Sequence, residues 1–289
     1  MIQKIRLFIK KRFPNLYLKI RKPLFRIEGM RRKAKARDFT KSVIKTVRLD
    51  GLDFRINLDP KNGFVDRTIF TNGIYEPDIL QVIKEHIKPG DVFIDIGANI
   101  GQHSLFAAAV VGKAGRVIAF EPIPRIVEQF KESIKLNGWH DIIDVHAIGC
   151  SNTAKNATLN IINSNVGGSS LHETYMKAET NIQIPLDRGD VYLLDLPRVD
   201  FIKLDTEGNE YEALQGLVRT IEKHHPTVLL EFSPSFRSDI SGYDVLELLT
   251  ERGYVMFDLE MGHGRIDNPE QWAKNFSKMQ TNLLCFHQT

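Results

Sequence analysis

The stretch Asp91-Val-Phe-Ile-Asp-Ile-Gly-Ala-Asn-Ile-Gly-Gln-His-Ser104 limits what this chain can fold into more than any other. Val92, Phe93, Ile94 and Ile96 form a short apolar run with a β-branched bias, as expected of a strand buried on both faces of a parallel sheet. Gly97-Ala-Asn-Ile-Gly101 then turns the chain, and Leu105-Phe-Ala-Ala-Ala-Val110 continues as a helix whose small residues suit close packing. A glycine-containing turn between a buried strand and a helix lets backbone N–H groups approach a ligand. The stretch therefore predicts a ligand at the carboxyl end of the first strand of an open α/β sheet.

Spacing narrows the choice of ligand. A dinucleotide turn needs G-x-G-x-x-G, but Asn99 and Gln102 hold the second and third places if Gly97 is the first. A phosphate loop needs Gly-Lys-Ser/Thr, and none follows. Asp95 lies two residues before Gly97, placed to attract a cationic ligand, and Glu121 ends the next apolar run, Val117-Ile-Ala-Phe120. An acid at that second strand end is where ribose hydroxyls are held. An acid, a glycine turn and a second acid suit S-adenosylmethionine, which carries a sulfonium, an ammonium and a ribose but no phosphate. The plainer alternative is an ordinary strand–turn–helix with incidental acids. Acids at both expected strand ends favour the ligand.

Four motifs in order extend this reading: Asp95-Ile-Gly-Ala-Asn-Ile-Gly-Gln-His-Ser104, Phe120-Glu-Pro122, Gly167-Gly-Ser-Ser-Leu171 and Ile202-Lys-Leu-Asp-Thr-Glu-Gly-Asn-Glu210. Together they resemble the FkbM-type methyltransferases, over roughly residues 60 to 260. The first motif alone marks only a class I methyltransferase; the ordered set is more specific. The resemblance implies a Rossmann-like, doubly wound, mostly parallel seven-stranded sheet and S-adenosylmethionine as cofactor. It also implies cofactor contacts from Asp95, Gly97, Ala98, Asn99, Gly101, Glu121, Pro122 and Asp205, with Ala147 and Ile148 covering the adenine. Asn163-Ser-Asn-Val-Gly-Gly-Ser-Ser170 becomes a loop over the acceptor rather than a plain hairpin linker. The acceptor implied is a small hydroxylated molecule, above all a sugar of a glycolipid, polysaccharide or glycosylated natural product.

Charge is unevenly distributed. Residues 1–50 carry 17 Lys and Arg against 3 Asp and Glu, whereas the remainder carries 22 against 33, so a basic arm precedes an acidic body. We place the arm at residues 1–45 and the methyltransferase domain at 46–289. In the arm, Ile2, Ile5, Ile9, Phe13, Leu16 and Ile20 recur at helical spacing between basic residues, and Pro14 and Pro23 interrupt any long helix. It reads as one or two basic amphipathic helices, lying on an anionic membrane surface or packed on the body with their charges solvated. A nucleic-acid arm is disfavoured, because its aromatics form no stacking platform. No run of 18 apolar residues and no signal-peptide centre occur, so the expected location is cytoplasmic, peripheral at most to the inner membrane surface. Cys150 and Cys285 are expected as small core residues.

The rest alternates between strands and helices, which implies helices on both faces of a doubly wound sheet. Asp50-Gly51 predicts a hairpin within 46–58; helices are expected over 78–87, 124–136, 209–222 and 243–252. Strands are expected over 142–149, 158–162, 181–185, 199–205, 227–232, 254–258 and 282–286. The carboxyl ends of these strands collect Asp95, Glu121, Asp205, Glu207 and Glu231. Unpaired carboxylates repel one another and resist burial, so such convergence points to chemistry.

A sugar hydroxyl is about as weak an acid as water, pKa about 16, and needs a base as its oxygen is methylated. Asp205 and Glu207 are the candidates, with Glu207 also able to orient the acceptor or Lys203, and His103 is the alternative. Asp205 and Glu207 could instead hold Mg²⁺, but no His/Cys cluster supports a transition metal, and no metal is predicted. The sequence thus predicts an O-methyltransferase acting on a small or carbohydrate acceptor. One rival is a nucleic-acid methyltransferase, although Asp205-Thr-Glu-Gly stands where base N-methylation uses Asn/Asp-Pro-Pro-Tyr/Phe. The other is a cofactor-binding module without catalysis.

Overall fold

Asp50 and Gly51 both take positive φ, 50° and 83°, and close a two-residue hairpin between β1 (Val43–Leu49) and β2 (Leu52–Leu58). The computed structural model describes residues 37–162, 165–172, 179–237, 239–260 and 264–288. Up to residue 36 the predicted basic arm lies outside them, and the first described strand, β1, begins at Val43. After the hairpin come α1 (Phe64–Asn72), α2 (Pro77–His86), β3 (Val92–Ile96), α3 (Gln102–Val111), β4 (Arg116–Phe120), α4 (Pro124–Asn137) and β5 (Ile143–His146). Next follow β6 (Gly149–Cys150), β7 (Lys155–Ile161), β8 (Thr180–Asp187), α5 (Asp190–Leu193), β9 (Phe201–Leu204), α6 (Glu210–Gln215) and α7 (Val218–His224). The chain ends with β10 (Thr227–Phe232), α8 (Gly242–Thr250), β11 (Tyr254–Asp258), β12 (Gly264–Arg265), α9 (Pro269–Asn275) and β13 (Thr281–His287).

The main sheet runs β12-β11-β13-β10-β9-β3-β4-β5. From β10 to β5 all neighbours are parallel, while β13, β11 and the two-residue β12 add antiparallel pairings at the other edge. This is the expected doubly wound sheet of seven strands with one short edge strand added. Both faces of β3 and β9 are covered, which is why their sequences read as unbroken apolar runs. Phe93 and Phe201 pack on one side with Phe106, Phe130 and the hairpin's Ile56; Ile94 and Ile202 pack on the other with Leu230 and Leu246. The chain travels outward from β3 to β5 and then returns to β9 beside β3, so the strand order reverses between β3 and β9. A crevice opens beyond the carboxyl ends of strands at such a reversal.

A second sheet, β6-β8-β7, is inserted after β5. The strand expected over 142–149 therefore stops at His146, and Gly149-Cys150 pairs with β8 instead. The helix expected over 209–222 is two helices, α6 and α7. Between them a Cβ on Gly216 would stand 2.0 Å from the Ser151 carbonyl oxygen, so the backbone itself makes the contact. Cys150 and Cys285 are buried and unpaired, as expected. Among the described residues no helix is long and apolar enough to cross a membrane.

Candidate active site

At the strand reversal lies a cavity of about 270 Å³. Its floor is the turn that follows β3. Gly97 has φ +81°, and its N–H donates to the Phe120 carbonyl at 3.0 Å. A Cβ there would fall 1.8 Å from the Asp205 carbonyl oxygen, so only glycine lets the turn lie against the end of β9. Asn99 takes φ 52°, its side-chain oxygen accepting from Ile100 N at 2.8 Å. Glu121, at the end of β4, is buried and receives one backbone N–H on each oxygen, from Asn99 at 2.9 Å and Ile123 at 2.9 Å. Burial pushes its pKa up to about 7 in spite of those donors.

Three further acids meet opposite this turn. One carboxylate oxygen each of Asp205, Glu207 and Glu231 lies within 4.8 Å of the others. Lys203, buried on β9, donates from Nζ to Asp205 Oδ2 at 2.9 Å. Burial alone would disfavour its ammonium, but the charges of Asp205 and Asp95 outweigh that and raise its pKa. Burial likewise works against an ionised Asp205, yet Lys203 holds that carboxyl below the usual carboxylate range. Glu207, left without such a partner, is pushed up to about 9, first by burial and then by the charge of Asp205. Glu231 is raised for the same two reasons.

The remaining wall comes from the segment before α2. Gln102 clamps Tyr75 at both ends, accepting from its N–H at 2.8 Å and donating to its carbonyl at 2.7 Å. Tyr75 lies edge-on to His103, their ring centres 6.3 Å apart. His103 Nε2 is buried with no hydrogen-bond partner among the described residues and lies 3.5 Å from a carboxylate oxygen of Glu76. The small sheet and the loop between its strands β7 and β8 close the opposite side through Leu159, Ile184, Leu186, Asn165 and residues 167–169. That loop is pinned where Ser170 Oγ donates to the Glu207 carbonyl at 2.6 Å. Asn163 and Ser164, the start of the expected acceptor loop, lie outside the described residues.

Of the residues singled out in the sequence, Gly97, Ala98, Asn99, His103, Glu121, Pro122, Asp205 and Glu207 line the cavity together. Asp95 does not. It is fully buried behind the turn, where its Oδ2 accepts from Ser104 Oγ at 2.6 Å and ties strand to helix. Gly101 faces Phe130 rather than the cavity, since a Cβ there would meet that ring at 2.1 Å. Ala147 and Ile148 also fall outside the lining, because the chain has already left β5; Gly149 and Cys150 stand there instead. Tyr75 and Glu76 belong to no recognisable motif and were not picked out by sequence, and Gln102, though inside the first motif, was assigned no role there. The one local hint is Glu76-Pro77, which marks a helix start.

A family profile described as "Methyltransferase FkbM domain" matches residues 95–256. Over 179 residues the chain is 24% identical to the hexuronic acid methyltransferase AglP of Haloferax volcanii, covering 61% of this chain and 68% of that protein. A solved methyltransferase FkbM from Methylobacillus flagellatus aligns at 19% identity and TM-score 0.44, over 77% of this chain and 54% of the other. The chain thus spans about half the length of that relative. An S-adenosylmethionine-dependent O-methyltransferase of Thermotoga maritima aligns at 12% identity and TM-score 0.46, covering 89% and 96% of the two chains. Matched by the family profile across more than half its length, the chain belongs to the FkbM methyltransferase-domain family.

Proposed function

We propose that this protein transfers the methyl group of S-adenosylmethionine to a hydroxyl of a carbohydrate-type acceptor, with His103 as the base. S-adenosylmethionine is the methyl donor of the family, and the residues present suit it. Glu121 spends one acceptor site of each oxygen on Asn99 and Ile123, which leaves lone pairs for two ribose hydroxyls. No lysine or row of glycines for a phosphate adjoins the turn. When bound, S-adenosylmethionine supplies a methyl group on cationic sulfur, which keeps the electron pair of the broken C–S bond.

The chain must then align the acceptor and take its proton. The acceptor oxygen forms the new C–O bond while its O–H proton passes to a base. Asp205 is poorly suited, since Lys203 already holds its carboxylate in the charged form. Glu207 is unsuited near neutral pH because its surroundings favour the protonated carboxyl. The assignment rests on His103 Nε2, buried on the cavity wall with no hydrogen-bond partner among the described residues, and with Glu76 3.5 Å away to stabilise an imidazolium. Asp205 and Glu207 then position the acceptor. A carbohydrate is favoured by the AglP relative's name and by Phe64 and Tyr75, whose rings stand edge to face at 6.2 Å on the cavity lining. Such rings offer an apolar surface to the C–H face of a sugar.

The test is a panel of neutral and uronic-acid glycosides incubated with labelled methyl donor, with the product linkage read by mass spectrometry. Methylation of a sugar oxygen is expected, and His103→Gln should lower turnover by about 10²–10⁴ while S-adenosylhomocysteine affinity stays unchanged. Transfer to a nitrogen, or to RNA but no glycoside, overturns the acceptor class. Undiminished turnover in His103→Gln removes the base.

A further inference from the structure

The acids opposite the Gly97 turn are not explained by folding alone. Asp205, Glu207 and Glu231 bring three carboxylates together within 4.8 Å, yet one ammonium, Lys203, pairs directly with just one of them. Glu231 accepts from Gln280 Nε2 at 2.8 Å through Oε1 and, when protonated, shares a hydrogen bond with Asp205, while no donor among the described residues meets its buried Oε2. The residue is only 6% exposed, although it lines the cavity. A buried acceptor left unmet costs about 1–3 kcal/mol, and crowded like charges add to that cost. On the same cavity wall, His103 Nε2 is also buried and unmet. The polar atoms facing this space are thus arranged around something other than the chain itself.

We infer that Asp205, Glu207 and Glu231 bind a single hard divalent cation of the Mg²⁺, Mn²⁺ or Ca²⁺ class. With all three carboxylates ionised, as a bound cation would hold them, they and the Lys203 ammonium carry a formal charge of −2, which one such ion neutralises. The donor set is oxygen throughout, as hard cations require, and offers nothing soft to favour zinc or copper. The spacing fits as well. Oxygens on opposite sides of a hard cation stand about 4–5 Å apart, and adjacent ones closer, so the observed limit admits a common centre. Three protein ligands leave about half of a six-fold shell open, enough for water and two neighbouring hydroxyls of an acceptor. A hydroxyl on the ion would become more acidic and would be held facing the cavity. That role for the open positions rests on the methyl-transfer reading; the binding of the ion does not.

The experiment titrates Mn²⁺ into the chelator-treated full chain and follows the electron paramagnetic resonance signal of the free ion, with and without S-adenosylhomocysteine. One equivalent should vanish from the free signal and return when excess Mg²⁺ or Ca²⁺ competes. Glu231→Gln and Glu207→Gln should each weaken binding about tenfold or more, equivalent to about 1.4 kcal/mol. Asp141→Asn, at an exposed acid elsewhere, should leave binding unchanged. Unaltered free-ion signal with the wild type in both conditions overturns the inference, as does equal binding by wild type and Glu231→Gln. If one glutamine variant fails to fold by circular dichroism, the wild-type competition and the other variant still decide. Calorimetry with S-adenosylhomocysteine on the same samples separates the two claims: absent binding there, with Mn²⁺ binding intact, counts against the methyl-donor reading and not against the ion.

Discussion

Replacing Gly97 by alanine tests how closely the turn after β3 is built against the end of β9. Two costs can be worked from the structure. Gly97 has φ +81°, and a side chain in the left-handed region costs about 1–2 kcal/mol. The added Cβ would also lie 1.8 Å from the Asp205 carbonyl oxygen and 2.9 Å from its carbon. Backbone cannot rotate away as a flexible side chain can, so relief needs a shift of more than about 1 Å between two buried strand ends; overpacking of this kind costs about 1–3 kcal/mol. The expected loss is about 2–5 kcal/mol in all. Gly138→Ala is the control, since Gly138 is left-handed at φ 68° but has nothing within 4 Å of a built Cβ. It should lose only the conformational part, about 1–2 kcal/mol. Urea unfolding of both variants at matched slope gives the difference directly. The carbonyl that must move belongs to Asp205, so Gly97→Ala should also weaken S-adenosylhomocysteine binding, while Gly138→Ala should not. Equal stability losses in the two variants would refute the argument from close approach.

Gln102→Leu removes both bonds to the Tyr75 backbone and should cost about 2–4 kcal/mol in thermal or urea unfolding; a loss below about 1 kcal/mol would mean that water replaces the clamp. Glu210 is buried beneath the Thr206–Gly208 loop, and burial pushes its pKa up to about 7 from an ordinary value of 4.5 despite three donors. Its protonated form is favoured in the folded state, so its contribution is complete below about pH 4.5 and is lost as pH rises through about 7. Glu210→Gln should therefore flatten the fall in stability between those limits, and an unchanged pH profile would refute the assignment.

Much of the framework is local and could be read from the sequence. Val92–Ile96 alternates between two covered faces, Asp50-Gly51 favours a two-residue turn, and Gly97-Ala-Asn-Ile-Gly101 must leave a strand sharply. Each follows from neighbours a few residues apart, because hydrophobic periodicity and φ preference are properties of short segments. The gathering of Glu121, Asp205 and Glu207 at one edge was legible for the same reason, since Glu121 and Asp205 directly follow parallel strands, Glu207 lies in the turn after one, and parallel strands end together. Side-chain direction and pairing were not legible. Asp95 turned out to serve Ser104, because the helix start folds back over its strand. Ala147 and Ile148 lost the cavity to Gly149 and Cys150, because after β5 the chain leaves the main sheet and β6 pairs with β8, whose partner residues lie far along the sequence. His103 acquired Glu76 and Tyr75 only when α2 docked beside α3, and Lys203, already two residues from Asp205 on one strand, met Asp95 only once β9 was inserted against β3. Local strand ends and turns are enough to bring these groups to the crevice. The tertiary structure decided which of them face it, which are neutralised and which are left unmet, because charge and hydrogen bonding depend on distances in space that no local spacing encodes.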